Sequence, residues 1–148
     1  MKDIAYFLAL LSTAIALGGA LAHLFALPNK IDLPREQYFV VQQIYQGWWQ
    51  FAYVLDVQLL SIAAVIIMSR AEARVFWPAV IALACLVAAQ VVFWTFTQPA
   101  NAWTSNWTAQ PENWEDLRRQ WEYSHAAGAV FQLLAMSALV IAALVKQR

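Results

Sequence analysis

Arg118-Arg119-Gln120-Trp121-Glu122-Tyr123-Ser124-His125 is the most polar and aromatic run in the chain. It leads directly into residues 126–145, where only Gln132 and Ser137 interrupt an apolar segment. A polar stretch followed by about 20 apolar residues describes a helix that leaves water and enters lipid. On that helix Arg118, Glu122 and His125 stand at i, i+4 and i+7, on one face. The stretch therefore reads as half of a site inside a membrane bundle.

The composition agrees. Of 148 residues, 62% are hydrophobic and 12% charged, about half the charged share of a soluble domain. Basic and acidic residues balance at 9 each, so no net charge draws the chain to nucleic acid. Its single cysteine, Cys85, excludes an internal disulfide and a cysteine-based zinc site. Eight tryptophans fit a protein with membrane interfaces.

Upstream, residues 4–27 form a first apolar run whose clearly polar members are Ser12, Thr13 and His23. A cleaved signal peptide is the rival reading, with Ala20-Leu21-Ala22 as the cleavage site. Asp3 in the n-region and the apolar run beyond residue 22 argue against it. Ala5, Ala9, Ser12, Ala16, Gly19 and His23 form a ridge of mostly small residues, a face that another helix can approach closely. Pro28 and Asn29 are expected to break this helix, and Pro34 to open the next. That second helix is expected to run unbroken over 34–68. Gln42, Gln46, Trp49 or Gln50, Tyr53 and Asp56 recur along it at three- or four-residue spacing, one polar stripe. Asp56, ionisable at membrane depth, is a functional candidate. A third crossing over 75–98 carries Gln90, Trp94 and Gln98 four apart, and Pro99 is expected to end it. A loop rich in Trp, Asn and Thr follows, and the last helix starts near Pro111 or Asn113.

The expected fold is an all-α integral membrane protein with four transmembrane helices in an up-down bundle. The crossings fall at about 4–27, 38–68, 75–98 and 120–145. The second and fourth helices extend on the outer side, where about 28–37 and 99–119 build a cap. One end carries Lys2, Arg70, Arg74, Lys146 and Arg148 against Asp3 and Glu72. The other carries more acidic than basic residues. The positive-inside rule then puts both termini in the cytoplasm of a multi-pass protein of the cell inner membrane. His23, His125, Gln46, Trp49, Gln50, Gln90 and Trp94 would converge on the outer, periplasmic end. Of the eight tryptophans, only Trp77 falls at the inner end.

Several segments also carry a resemblance. Leu21-Ala22-His23-Leu24-Phe25 is followed by Leu27-Pro28-Asn29-Lys30. Further on come Pro99-Ala100-Asn101, Trp107-Thr108, Pro111, Trp114-Glu115, Leu117-Arg118 and Trp121-Glu122-Tyr123-Ser124-His125. This pattern resembles small bacterial four-helix membrane proteins of a domain-of-unknown-function family, grouped with the anthrone-oxygenase-like proteins. The resemblance implies a four-helix bundle and points toward oxygenase or oxidoreductase chemistry on an aromatic compound.

Four readings of the site follow. Glu122 and His125 have the Glu-x-x-His spacing of di-iron bundles, but Ala20 stands where a second motif would need its glutamate. A single transition metal held by His23, His125 and Glu122 remains open, although Arg118 is spaced to occupy Glu122. A b-type haem with His23 and His125 as axial ligands is the next. The third is a metal-free pocket for a flat lipophilic molecule such as an aromatic or a quinone. There His125 or His23 is the base or hydrogen-bond partner, Glu122 or Asp56 tunes it, and Trp49, Trp94 and Trp121 pack the ligand. Gln46, Gln50 and Gln90 would orient it, with Tyr53, Asn101 and Arg118 completing the lining. The fourth is a non-catalytic structural or interaction protein. Besides lipid and the small molecule, a homo-oligomer through Ala135, Ala138 and Ala142 is open.

Overall fold

The structure, a computed structural model, describes residues 2–146. Arg148, counted above among the inner-end charges, lies outside the described residues. These are helical with no strand among them: α1 (Lys2–Lys30), α2 (Arg35–Gln42), α3 (Phe51–Met68), α4 (Ala73–Val92), α5 (Gln98–Trp103) and α6 (Trp114–Lys146). Short 3-10 turns at Gln43–Tyr45 and Trp48–Gln50 join α2 to α3, and a π turn at Phe93–Thr97 joins α4 to α5. Four stretches are long and apolar enough to cross a membrane: Lys2–Lys30, Trp48–Met68, Ala73–Trp103 and Trp114–Lys146.

Small residues decide how these helices meet. Ala9, Ala79, Ala82, Ala135 and Ala142 are fully buried, interleaved with Ile62, Val65, Leu86 and Leu139. Alanine lets two backbones approach closely enough for dispersion to hold them together without help from water. Ala135, Ala138 and Ala142 belong to this core, so the ridge offered above for dimerisation is spent inside the bundle. Gln58 is fully buried, donating to Thr13 Oγ1 at 3.1 Å and to Gln132 Oε1 at 2.9 Å, which ties α1, α3 and α6 together. Outward, the long helices present large apolar side chains, among them Phe7, Leu60, Ile67, Ile81, Val91 and Leu144.

Two ion pairs, Lys2 with Glu72 and Lys146 with Asp3, gather the two ends of the described chain and the α3–α4 connection at one end of the bundle. The other end is covered by a second, aromatic core of Tyr38, Phe39, Trp107, Trp114, Leu117 and Trp121.

Three expectations change. First, α1 does not stop at Pro28 but continues to Lys30. In the last turn the proline removes only one hydrogen bond, and Ile31 N still reaches Leu27 O at 3.0 Å. Second, the helix expected over 34–68 is interrupted. Gly47 adopts φ +83°, a left-handed conformation open to glycine at little cost, and α3 restarts on a new phase. Third, Pro99 does not end the third crossing. The π turn at Phe93–Thr97 precedes it and helix resumes through Trp103. A widened turn accommodates the ring that would otherwise strike the carbonyl four residues back.

Candidate functional site

Because α1 runs through Pro28, Lys30 follows His23 by seven residues and shares its face. His23 is buried and its ring lies between two others. It stacks on His125 at 4.1 Å between centroids and 12° between planes, and on Tyr45 at 4.4 Å and 28°. The edges of Trp48 and Trp121 close the remaining sides at 5.2 Å each. His23 Nδ1 has no hydrogen-bond partner among the described residues.

These rings stand in the wall of a cavity of about 510 Å³, within the range of small-molecule sites. Gly19, His23, Tyr45, Trp48, Phe51, Gln90, Phe93, Thr97, Trp107, Trp121 and His125 are among its lining. It reaches from Gln46 and Asn106 beneath the cap to Ala16 and Gln132 in the bundle. Gly19 leaves room for the Phe51 ring: a Cβ there would lie 2.9 Å from it, so the ring would have to shift.

Local structure sets each wall. The Gly47 turn separates Tyr45 from Trp48 and lets both face His23. Ser105, Asn106 and Trp107 are all left-handed, at φ 49°, 54° and 62°, an uncommon run for side-chain-bearing residues. Thr104 Oγ1 holds this turn by accepting from Trp107 N at 3.1 Å while donating to Ala100 O at 2.8 Å. Gln43 Nε2 donates to Trp107 O at 3.0 Å, joining the loop to the α2 side. Trp121 Nε1 donates to Asn101 Oδ1 at 2.8 Å, which fixes the indole next to His125, 4.2 Å between centroids.

Behind this wall lies a buried charge pair. Lys30 Nζ is 2.9 Å from Glu122 Oε1, and the two residues are 4% and 1% exposed. The same ammonium donates to the Tyr45 hydroxyl at 3.0 Å and lies over the Tyr45 and Trp121 rings at 4.8 and 4.9 Å. Glu122 Oε1 also accepts from Tyr38 at 3.0 Å, and Gln42 Nε2 donates to the Tyr38 hydroxyl. Burial, and then the neighbouring carboxylate, push the Tyr38 phenol above its ordinary range. Arg118 does not take Glu122, although it stands at i−4. Its guanidinium donates to Leu33 O at 2.7 Å and lies against Trp114 and Tyr38 at 4.6 and 5.4 Å.

The residues singled out in the sequence divide accordingly. His23, His125, Gln46, Trp49, Gln90, Asn101 and Trp121 line the cavity. Gln50, Tyr53, Asp56 and Trp94 do not, and all four are exposed on the outside of the bundle. The stripe through Gln50, Tyr53 and Asp56 assumed one unbroken helix, and the Gly47 turn resets its phase. Trp94 lies in the π turn at Phe93–Thr97, where Phe93 and Thr97 line the cavity and Trp94 is exposed. Arg118 and Glu122 sit outside the lining, in the cap and behind the wall.

Lys30, Tyr38, Tyr45 and Trp107 were not anticipated. Lys30 had a signal, its seven-residue spacing from His23, masked by the break expected at Pro28. Tyr45 had none, because it precedes the turn that decides where it points.

Neither cofactor considered above fits this geometry. Axial ligation of a haem needs two imidazole nitrogens aimed from opposite sides of the macrocycle; here the rings lie face to face at 4.1 Å. A single metal would need Glu122 beside both histidines; its Oε1 is held by Lys30, Tyr38 and Gln42, its Oε2 has no partner among the described residues, and it stands outside the lining that holds His23 and His125. Among the described residues no group of three or more His, Cys, Asp and Glu side chains gathers as a metal ion requires. No family model, no curated protein and no solved structure matches the chain.

Proposed function

We propose that the chain is a multi-pass membrane protein that binds a flat, lipophilic small molecule in the cavity beside His23 and His125. Four stretches long and apolar enough to span a membrane support insertion, as do the large apolar side chains they expose. Such a surface is a liability in water and ordinary in lipid. The ion pairs at one end and the histidine contact at the other favour an up-down bundle. The basic excess around Lys2, Arg70, Arg74 and Lys146 favours cytoplasmic termini in an inner membrane and a site on the periplasmic side.

The observation that carries the binding reading is the stacked histidine pair with an unpartnered, buried Nδ1 in the wall of an aromatic cavity. The stacked imidazoles and the neighbouring indoles make this wall aromatic, a surface against which an aromatic ring packs, and a few polar groups fix its orientation. The resemblance to anthrone-oxygenase-like proteins favours an aromatic ligand bearing a ring hydroxyl, whose proton His125 or His23 is placed to take.

Tryptophan fluorescence of the protein in lipid nanodiscs, titrated with menadione, tests the binding reading. Saturable quenching is expected. His125→Ala should weaken it about tenfold, the loss of one stacking and hydrogen-bonding partner. Ala20→Phe, which fills the cavity, should abolish it. Quenching that rises linearly and identically in all three proteins would mean partition into lipid alone and would overturn the reading.

A further inference from the structure

We propose that Tyr45 is the hydrogen-bond donor that holds a carbonyl oxygen of the ligand, so that the cavity selects quinones and aromatic ketones over oxygen-free aromatics. The inference rests on the binding reading above and adds to it the ligand's chemistry and the residue that recognises it.

Lys30 Nζ lies 3.0 Å from the Tyr45 hydroxyl and 2.9 Å from Glu122 Oε1. An ammonium has donors only. Toward Lys30, therefore, the Tyr45 oxygen accepts, and its own hydrogen points elsewhere. Among the described residues, the hydrogen bond from Lys30 is the one this hydroxyl makes. Tyr45 lines the cavity and is part-buried. Its proton is left for water, or for a ligand atom that displaces the water.

The surroundings strengthen that donor. Lys30 is buried and paired with Glu122, itself buried and held by Tyr38. A cation donating to a phenol oxygen withdraws electron density from the O–H bond, and hydrogen bonds in such chains reinforce one another away from water. The result is a preorganised donor of the kind that stabilises charge growing on a carbonyl oxygen. Tyr45 also stacks on His23, whose unpartnered Nδ1 offers the same ligand a second polar contact. Phe51 and Phe93 add apolar wall, while Gln90, Thr97 and Asn101 add polar groups, a mixture that suits a planar hydrocarbon body carrying oxygen.

Two probes of the same shape separate the possibilities: menadione, and methylnaphthalene, which lacks the carbonyls. Binding of each to wild type and to Tyr45→Phe is measured in nanodiscs, together with the infrared carbonyl stretch of bound menadione. Tyr45→Phe should lose about tenfold in menadione affinity, the effect of one charge-assisted hydrogen bond, and keep its affinity for methylnaphthalene. One carbonyl stretch should move to lower frequency on binding wild type and return in the variant. If menadione binds wild type with no shifted stretch, or if the variant weakens both probes equally or neither, Tyr45 is not the donor and the pocket stands without it. If neither probe binds wild type saturably, the pocket itself falls. The infrared measurement on wild type decides the matter even where the variant folds poorly.

Discussion

Lys30 Nζ meets Glu122 Oε1 at 2.9 Å in an environment that excludes water from both residues. The lysine comes from the last turn of α1 and the glutamate from the third turn of α6, so the pair joins the two terminal helices beneath the aromatic cap. Removing one member leaves the other charged and unpaired in a poorly solvating site. Lys30→Met or Glu122→Gln alone should lower stability by about 3–5 kcal/mol. The double substitution should recover much of that loss. Thermal unfolding of the four proteins in one detergent measures it; singles that cost nothing, or a double that adds their costs in full, would contradict the buried pair.

Tyr38 gives the cap a dependence on alkaline pH. Its folded phenol is held above the ordinary range by burial and by Glu122, whereas an unfolded phenol ionises near pH ~10. A raised folded pKa means that the contribution is fully present below that pH. It is lost as pH rises, because the unfolded state releases its proton first. Tyr38→Phe should remove about one proton from the slope of stability against pH above about pH 10. An unchanged slope would place Tyr38 in contact with solvent.

Gly47 is a conformational requirement. At φ +83° a Cβ would meet only Gln50 Nε2, at 3.6 Å, an ordinary contact. The cost of Gly47→Ala therefore comes from the backbone and should be roughly 1–2 kcal/mol. Gly47→Asn should cost less, since asparagine tolerates this region better. Equal losses for the two variants would point to packing instead.

Asp56 tests the separation between the bundle's surface and its cavity. It is exposed on α3 and absent from the lining. Asp56→Asn should change menadione affinity by less than about twofold, well inside the 1.4 kcal/mol that a tenfold change represents. A tenfold loss would mean that the ligand reaches across α3.

The presence of four long apolar helices was legible in the sequence, because apolar length and small-residue spacing are local properties of the chain. So was the clustering of His23, His125 and most tryptophans toward one end, which follows from their depth along each helix. Which of the flagged residues share the cavity was only half legible. Gln46, Gln90 and Trp121 line it, while Tyr53, Asp56 and Trp94 do not. Periodicity carries a face forward along an unbroken helix only, and the Gly47 turn and the π turn at Phe93–Thr97 each shift the phase.

By itself, then, the sequence determined four membrane-length helices and a polar, aromatic end built around Arg118 to His125. The tertiary structure decided what that end contains. Glu122 had a local partner in Arg118, four residues away, yet Lys30 arrives from α1 and takes the carboxylate. The physical reason is packing. Both cations are buried, but the Leu33 carbonyl and the Trp114 and Tyr38 rings hold the Arg118 guanidinium, while the end of α1 brings Lys30 to the carboxylate.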